Sequence, residues 1–377
     1  MKKTLKYRLY STKKQIDSLT YQLNAHRFLY NQALAQRKET YEKTNKGITY
    51  HNQATQLLPK LRKENKNIAC CNYSSLQQTL RRLDKSFEAF FRRVKAGEDP
   101  GYPRFKAEHR FNTFSYSSFG DGCQIKDKRL YLQYVGLIKV KWHRLIEGKV
   151  KTLSITCRNN KWYACFSVEC ETNPLPKTYK SAGIDMGLKS FFTLHDGTRI
   201  NCPHYFRKAE KKVAKAHQKL SRRKKGSNRR RKARFLLSKQ YEHIANQRLN
   251  FCHEVTYFLV QKYDKFVVEN LRIKNMVQNK HLSNSIADAA WGIFLNILKV
   301  KAENAGREYQ EVSARGTTQE CSSCGAVVKK SLAVRVHNCP FCGLSLDRDQ
   351  NAALNILKRA RTEPSVLATK LVVSPRS

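Results

Sequence analysis

The sequence predicts a multidomain α+β protein, in which a helical bundle is inserted in a β-barrel module and an α/β domain with a zinc-ribbon insertion follows. The spacing of apolar residues is helical from residue 11 to residue 97 and then alternates with period two from about residue 102 to residue 170. Beyond residue 180 strand and helix patterns alternate, which is typical of an α/β domain. Two Cys-x-x-Cys pairs near the end of this part predict the ribbon.

The composition indicates nucleic acid as the partner. The 377 residues include 73 Lys and Arg against 29 Asp and Glu, a formal net charge of +44. A content of 40% hydrophobic and 10% aromatic residues excludes a disordered chain. No stretch reaches the about 18 apolar residues that span a bilayer, and the N-terminus lacks the apolar region of a signal peptide. We therefore expect a soluble, non-secreted protein with no membrane partner, whose excess charge a polyanion neutralises.

The first 97 residues predict one strand and then a small helical bundle. Residues 3–10 alternate like a strand, and a first helix follows. A second helix would be capped by Ser74 or Ser75 and end at Gly97. The apolar faces of the two helices recur in steps of three and four residues: Leu19, Leu23, Tyr30 and Leu34 in the first, and Leu76, Leu80, Leu83, Phe87, Phe90 and Val94 in the second.

The period-two segment predicts a barrel to which the N-terminal strand returns, with a hairpin turn at Arg158–Lys161. Residues 171–180 contain two prolines and predict a linker. The elements expected after it are a strand at 182–186, a hairpin near 190–200, a long basic helical stretch, strands at 265–269 and near 308–313, and a helix from about residue 350. Residues 361–377 are expected to be a loose tail.

The cysteine pairs are the most specific motif in the chain. Two knuckles with fourteen residues between them present four thiolates that can surround one Zn²⁺: Cys321, Cys324, Cys339 and Cys342. Because all four positions are cysteine and none is open, we expect a structural rather than a catalytic zinc. His337 is expected to be a loop residue or a nucleic-acid contact rather than a ligand.

Three acids stand at the ends of predicted elements. Asp185 and Glu269 end apolar strands, and Asp349 lies at the start of the last helix. Taken singly, each has an ordinary alternative as a turn residue, a solvated strand end or a helix cap. Their order around an α/β core in a strongly basic chain favours a shared site, because converging carboxylates repel unless cations lie between them. Two Mg²⁺ about 4 Å apart would suit such a site and phosphodiester chemistry.

Basic and aromatic clusters are candidates for nucleic-acid contacts. Residues 206–235 hold 15 Lys or Arg and one Glu, and they predict a helical hairpin along phosphates rather than only a solvated face. The candidate contacts in this stretch are Arg222, Arg223, Lys224, Lys225, Arg229, Arg230, Arg231 and Lys232. A second group, in which one or two rings could stack on bases, comprises Tyr102, Arg104, Phe105 and Lys106. Phe111, Phe114 and Tyr116 are expected to lie mostly in the core.

Seven segments of the chain resemble the TnpB (OrfB) family encoded by insertion sequences, whose relatives are the type V CRISPR effectors: GYPRFK, GIDMGLKSF, LSRRKKGSNRRRKAR, VVENL, SARGTTQECSSCG, NCPFCG and DRDQNAALNIL. The likeness runs from the first strand to about residue 358. It implies an RNA-guided DNA endonuclease with a RuvC-type, RNase H-like site, in which Asp185, Glu269 and Asp349 are the catalytic acids. It also implies a noncoding guide RNA from the transposon end, target double-stranded DNA with a short adjacent motif, two catalytic Mg²⁺ and one structural Zn²⁺.

The family architecture further implies how the chain is divided. Residues 1–10 and 98–180 would form a β-barrel wedge domain, 11–97 a helical recognition lobe, 181–316 and 346–360 the RuvC-like nuclease domain, 317–345 the zinc ribbon, and 361–377 a C-terminal tail. The expected location is the prokaryotic cytoplasm, in association with the nucleoid. Nothing in the sequence indicates the oligomeric state.

Other functions stay open on sequence grounds. A DNA-strand transferase of the Asp-Asp-Glu kind would place the glutamate last, whereas here it is second. A zinc-ribbon nucleic-acid binder without chemistry explains the charge and the cysteines but not Glu269 on an apolar strand. The family also includes guided repressors that lost catalytic acids, which the presence of all three acids disfavours. For the third acid Asp347 is an alternative to Asp349, and the helix start and the family motif both favour Asp349.

Overall fold

The computed structural model describes residues 2–279, 282–331 and 334–362. Contacts between Cα atoms divide the chain into two compact units, of which the first ends at Glu171 and the second begins at Thr172. Within the described residues, no helix is both long enough and apolar enough to cross a membrane. The predicted tail lies outside these residues, except that the last helix continues to Thr362.

The first unit contains one strand, a group of helices and six further strands. They are β1 (Lys2–Tyr10), α1 (Lys13–Thr44), α2 (Tyr50–Asn52), α3 (Leu58–Glu64), α4 (Lys66–Ala69), α5 (Tyr73–Lys95), β2 (Thr113–Tyr116), β3 (Cys123–Lys126), β4 (Arg129–Leu132), β5 (Gly136–Lys141), β6 (Lys149–Arg158) and β7 (Lys161–Glu169). A π-helical turn over Gln53–Leu57 joins α2 to α3. The apolar faces predicted for the two long helices meet in one core, in which Leu29, Leu34, Leu76 and Leu83 are buried.

The predicted cap of α5 is wrong by two or three residues. Asn72 is the N-cap, and its side-chain Oδ1 accepts a hydrogen bond from the backbone N–H of Ser75 at 2.9 Å. Ser74 donates its hydroxyl to the same Oδ1 atom. An Asn caps as well as a Ser, so the polar run Asn72–Ser75 offers three equivalent candidates and only the structure selects one.

The strands of the first unit form one antiparallel sheet in the order β2-β6-β7-β1-β5-β4-β3. The N-terminal strand does return to this module, because β1 pairs with both β7 and β5. The β6–β7 hairpin turns through Asn159 and Asn160, whose φ angles of 49° and 57° suit a type I′ turn. The closed barrel is not observed: in the described part of the chain β2 and β3 do not pair, so the sheet is a half-barrel. Alternation predicts which face of a strand is buried, but closure also depends on strand tilt and register.

The second unit alternates strands and helices as predicted. Its elements are β8 (Ser181–Met186), β9 (Ser190–Leu194), β10 (Arg199–Asn201), α6 (Tyr205–Ser221), α7 (Asn228–Lys262), β11 (Lys265–Glu269), α8 (Ile273–Met276), α9 (Ser283–Ala289), α10 (Trp291–Asn304), β12 (Glu308–Val312), β13 (Val336–Asn338), β14 (Ser345–Asp347) and α11 (Arg348–Thr362). Five strands form a mixed sheet in the order β10-β9-β8-β11-β12. In this sheet β8, β11 and β12 are parallel, and β9 and β10 are antiparallel additions.

Helices cover both faces of the mixed sheet. Ile184, Phe266 and Val268 point to the face that carries the larger apolar core, which includes residues of α7 and α10. Val267 and Val312 point to the opposite face and pack against Ile356 of α11. Because side chains alternate along a strand, every second residue of β8 and β11 faces α11.

Gly183 sets the distance between α11 and the sheet. A Cβ atom at this position would lie 2.2 Å from the carbonyl oxygen of Ala353 and 2.8 Å from the Cβ of Leu357. Any larger residue would therefore push α11 away from β8. The backbone that approaches this glycine is that of α11.

Candidate active site and zinc cluster

Asp185 and Glu269 lie side by side on the face of the sheet that α11 covers. The parallel register pairs Val268 with Ile184, so the next residue of each strand is one of the two acids. Asp185 shares its face with Gly183, and Glu269 shares its face with Val267. Asp349 is in the first turn of α11. The structure therefore brings the three predicted acids together at the carboxyl ends of β8 and β11.

The electrostatics of the three acids reflect this convergence. Asp185 and Glu269 are each only 8% exposed. Burial raises the pKa of Asp185 well above its ordinary value, and the carboxylates of Glu269 and Asp349 raise it further. Burial also raises the pKa of Glu269, although a hydrogen bond from Thr317 and the charge of Arg359 act in the opposite direction. The negative charge of these clustered carboxylates is only partly compensated by neighbouring donors and cations. Divalent cations that prefer oxygen ligands suit such a site.

Asp347 and Asp349 have different roles in the geometry of α11. Asp347 is the N-cap, because its Oδ1 accepts from the backbone N–H groups of Asp349 at 2.9 Å and Gln350 at 3.2 Å. Its Oδ2 pairs with Arg199 at 2.7 Å. Asp349 instead accepts from the guanidinium of Arg348 at its Oδ1, at 2.9 and 3.1 Å. Both oxygens of Asp347 are thus already used within the fold, whereas the ion pair that the described residues give Oδ2 of Asp349 is a distant one, with Arg335 at 4.0 Å.

Sequence reasoning missed Thr317 and the two asparagines that hold its loop. The hydroxyl of Thr317 donates to Oε1 of Glu269 at 2.6 Å. The side-chain amide of Asn355 in turn donates to the carbonyl of Thr317 at 2.9 Å, and Asn351 donates to the carbonyl of Glu320 at 2.8 Å. These partners are separated from one another by more than 30 residues, so no local pattern identifies them.

The four predicted cysteines form one cluster that fits a zinc site. Their sulfur atoms all lie within 4.8 Å of one another, and Cys321–Cys342 and Cys324–Cys339 are each separated by 3.6 Å. A tetrahedron with Zn–S bonds of about 2.3 Å has sulfurs about 3.8 Å apart. Burial raises the pKa of the Cys321 thiol, but hydrogen bonds from the backbone N–H groups of Cys324 and Ser323 outweigh it and bring the pKa to about 5. This thiol is therefore ready to bind metal as a thiolate.

The expectation that His337 is a loop residue or a nucleic-acid contact is wrong. It lies in β13 opposite Leu346 of β14, it is fully buried, and its Nδ1 contacts the ammonium group of Lys330. A buried strand residue is neither a loop residue nor an exposed nucleic-acid contact. Alternation explains the error, because Val336 and Asn338 on either side of it are exposed and three residues are too few to show which face is buried.

The basic stretch forms the predicted helical hairpin of α6 and α7. Val213 of α6 packs against Leu237 and Ile244 of α7, which makes a small core of its own. Six of the eight candidate side chains are exposed: Arg222, Lys224, Lys225, Arg229, Arg231 and Lys232. Arg223 is half-buried in the loop between the helices.

Arg230 differs from its neighbours in the basic stretch. Its guanidinium donates to the carbonyl oxygens of Leu220 and Arg223, each at 2.8 Å, and the side chain is half-buried. It thus satisfies carbonyl groups at the end of α6, which a helix leaves without partners. In this structure Arg230 closes the hairpin.

The second candidate group lies on the surface of the first unit. Tyr102 and Phe105 are 42% and 49% exposed, and the ammonium group of Lys38 is 5.5 and 5.4 Å from the centres of their rings. Arg104 is exposed, whereas Lys106 is half-buried and exchanges two backbone hydrogen bonds with the side chain of Asn31. Phe111, Phe114 and Tyr116 are buried, as expected.

Three family models match separate parts of the chain. One described as "Probable transposase" matches residues 165–280, one described as the Cas12f1-like TNB domain matches residues 291–356, and one described as a helix-turn-helix domain matches residues 1–46. In the structure, residues 2–44 form β1 and the single 32-residue helix α1.

Two relatives are similar over most of the chain. A protein of Streptomyces pristinaespiralis is 30% identical over 365 residues, which is 95% of this chain and 89% of that protein. A protein of Escherichia coli K12 is 29% identical over 349 residues, which is 88% of this chain and 85% of that protein. Both are named "Putative RNA-guided DNA endonuclease", the second with the designation InsQ.

One solved structure shares the fold. The mini-RNA-guided endonuclease CRISPR-Cas phi3 superposes with a TM-score of 0.51 at 10% sequence identity, over 97% of this chain and 93% of that one. The likeness in fold is therefore far greater than the likeness in sequence. Together with the relative that is 30% identical along nearly its whole length, the matched family models confirm the resemblance carried by the motifs: the chain belongs to the TnpB (OrfB) family.

Proposed function

We propose that this chain is an RNA-guided DNA endonuclease that cuts double-stranded DNA beside a short target-adjacent motif. The observation that carries the proposal is the convergence of Asp185, Glu269 and Asp349 at one edge of a buried sheet, in a chain with a net charge of +44. The names of both relatives support an RNA guide, and the guide proposed here is a noncoding RNA from the transposon end. A protein with this charge that acts on DNA is expected at the nucleoid.

The three acids would hold two Mg²⁺ ions. Their oxygen donors suit this ion, and Glu269 and Asp349 are close enough to Asp185 to add to the effect of burial in raising its pKa. When bound, the metals would activate a water molecule and stabilise the leaving oxygen of a phosphodiester. The protein itself would hold the three carboxylates in place. Asp185 and Glu269 lie on the strands of the sheet, and Asp349 lies on α11, which Gly183 allows to approach β8.

The remaining parts of the chain would bind and position nucleic acid. We propose that the exposed side chains of the α6–α7 hairpin contact phosphates and that Tyr102 and Phe105 offer ring faces to unpaired bases. The helical residues 11–97 would serve as the recognition lobe and the half-barrel as the wedge domain. Residues 181–316 and 346–360 would be the RuvC-like nuclease domain, and its mixed sheet with helices on both faces supports this division. The ribbon at 317–345 would carry one structural Zn²⁺.

The experiment is to purify the protein from its native cells, sequence the RNA that comes with it, and assay cleavage of DNA that matches the RNA. We expect one specific RNA species and cleavage that requires both Mg²⁺ and a matching target. Cleavage that survives ribonuclease treatment would overturn the guided function. Matched binding without cleavage at any Mg²⁺ concentration would favour a guided repressor instead.

A further inference from the structure

We infer that Thr317 is a positioning residue that fixes the orientation of Glu269 and so tunes how tightly the acids bind divalent metal. The inference rests on the proposed nuclease function of the same three acids. It concerns a residue outside the acids and outside the four cysteines. Thr317 acts through the carboxylate of Glu269.

Thr317 contacts Glu269 directly. Thr317 is 2% exposed, and its hydroxyl donates to Oε1 of Glu269 at 2.6 Å, a short hydrogen bond to a charged acceptor. A carboxylate has two oxygens, and a donor fixed on one of them restricts the rotation of the group and directs the other. Carboxylates that bind metals are commonly held by such second partners, and loss of the partner weakens metal binding.

The loop that contains Thr317 is held in place by α11. Residues 317–322 are fixed to one face of α11 by four of its side chains, at spacings that place them in line along the helix: Asn351, Asn355, Lys358 and Arg359. Asn355 donates to the carbonyls of both Thr317 and Glu320, at 2.9 and 2.7 Å. Arg359 donates to both carboxylate oxygens of Glu320 at 2.8 Å.

Thr317 links Glu269 to the helix that carries Asp349. The helix that fixes the loop of Thr317 also carries Asp349 in its first turn. Thr317 and Asn355 therefore tie the position of the Glu269 carboxylate to α11, the helix that also carries Asp349. A strand end alone would leave the carboxylate of Glu269 free to rotate, and Thr317 removes that freedom.

The test compares Thr317→Val, which keeps the shape and removes the hydroxyl, with Thr317→Ser, which restores the hydroxyl. Thr318→Val makes the same chemical change at the neighbouring position and is the matched control. The first measurement is Mn²⁺ binding by electron paramagnetic resonance on each protein as purified with its RNA. Sites that are absent in Asp185→Asn are assigned to the acid cluster. The second measurement is the Mg²⁺ concentration that gives half-maximal cleavage.

We expect Thr317→Val to weaken Mn²⁺ binding at the cluster by about tenfold and to raise the half-maximal Mg²⁺ concentration by a similar factor. Thr317→Ser should stay within about twofold of the unmodified protein, and Thr318→Val should match it. Wild-type metal binding in Thr317→Val would overturn the inference. Equal losses in the Val and Ser variants would also overturn it, because packing rather than the hydroxyl would then be responsible.

Two further outcomes are covered by the design. If Thr317→Val lowers folded yield or zinc content, Thr317→Ala removes the hydroxyl without a buried apolar methyl in its place, and its Mn²⁺ affinity decides in the same way. If the unmodified protein binds Mn²⁺ at the acids but cuts no DNA, the proposed function fails. In that case the comparison of metal affinities still decides the role of Thr317.

Discussion

Two buried aspartates of the second unit show how differently a fold can treat the same side chain. Asp288 of α9 accepts hydrogen bonds from the backbone N–H groups of Phe206 at 2.9 Å and Arg207 at 3.3 Å, and from the guanidinium of Arg248 at 2.7 Å. Asp185 lies instead near Glu269 and Asp349 as well as Arg348, and its pKa is well above the ordinary value because of burial first and then the two carboxylates, which Arg348 only partly opposes. Burial alone therefore does not distinguish the two aspartates, whereas the charges of their partners do.

The partners of Asp288 also explain why it is there. Helix α6 begins after His204, which has a left-handed backbone conformation and makes no side-chain cap. The carboxylate of Asp288, from another helix, satisfies N–H groups of the first turn of α6 and lies at the positive end of its dipole. Asp288 is thus a cap supplied from a distance, a task that no contact among the described residues gives to Asp185.

The largest expected effect separates the two residues by activity. Asp185→Asn keeps the shape of the side chain but removes its charge, so it should lower the rate of guided DNA cleavage by more than about a thousandfold. Binding of the matched DNA by the ribonucleoprotein should not change. Melting in the absence of divalent metal should show equal or higher stability, because a buried and repelled negative charge is gone. A clear loss of stability would mean that Asp185, like Asp288, is a structural acid.

Asp288→Ala should have the opposite outcome. It leaves the N-terminus of α6 without a cap and Arg248 without its partner, which should reduce the free energy of unfolding by about 3 kcal/mol. Chemical denaturation followed by the fluorescence of Trp291, which is buried in the same unit, measures this change. Ser285→Ala is the matched control, since Ser285 also contacts Arg207 from α9 but on the surface, and it should cost less than about 0.5 kcal/mol. Equal costs for the two variants would remove the distinction drawn for Asp288.

The same comparison shows what could be predicted from the sequence. Asp185 and Glu269 were found because both follow short apolar strands, and the parallel register then places them side by side. For the third acid the sequence also allowed Asp347, and the helix start and the family motif both favoured Asp349.

The residues that were missed depend on tertiary partners. Asp288 is 82 residues from Phe206, and Thr317 is 48 residues from Glu269. No periodicity links such positions, because their geometry is set by how helices and loops pack across the sheet. For the same reason the sequence placed Arg230 with the phosphate contacts, although its guanidinium closes the α6–α7 hairpin. A closed barrel was predicted instead of the observed half-barrel, because alternation carries no information on whether the two outer strands pair.

A third kind of buried group extends the comparison to the first unit. His26 is fully buried between α1 and α5, with Nδ1 2.8 Å from Oγ1 of Thr79 and Nε2 3.2 Å from Oγ of Ser75. Burial, and then the charge of Arg82, lower its pKa to about 3. The His26 imidazole therefore takes up a proton near pH 6.5 in the unfolded chain but stays neutral at that pH in the folded chain. Stability is complete above this pH and is lost as the pH falls from 6.5 towards 3, by about 2 kcal/mol between pH 7 and pH 5.

Amide hydrogen exchange in α5, corrected for the intrinsic effect of pH, measures this loss for the region around His26. His26→Gln keeps a polar group that cannot be protonated and should flatten the pH dependence, whatever its own cost in stability. His51→Gln, at an exposed histidine of the same unit, is the control and should leave the dependence unchanged. A slope that persists in His26→Gln would assign it to other groups.

The smallest effect on stability concerns the pair at the start of α11. Asp347 uses both carboxylate oxygens within the fold, as the cap of the helix and as the partner of Arg199. Asp347→Ala should therefore cost about 1 kcal/mol of stability through the lost cap and should retain measurable cleavage. Asp349→Ala removes a carboxylate that caps nothing in the described structure and that raises the pKa of Asp185, so it should abolish cleavage with little effect on melting. Asp347→Asn is the control that preserves a cap, since Asn caps a helix as well as Asp does, and it should restore most of the lost stability. The assignment is wrong if Asp349→Ala cuts DNA at nearly the wild-type rate while Asp347→Asn, with its cap intact, does not cut, because the metal-binding acid would then be the one that the fold has already paired.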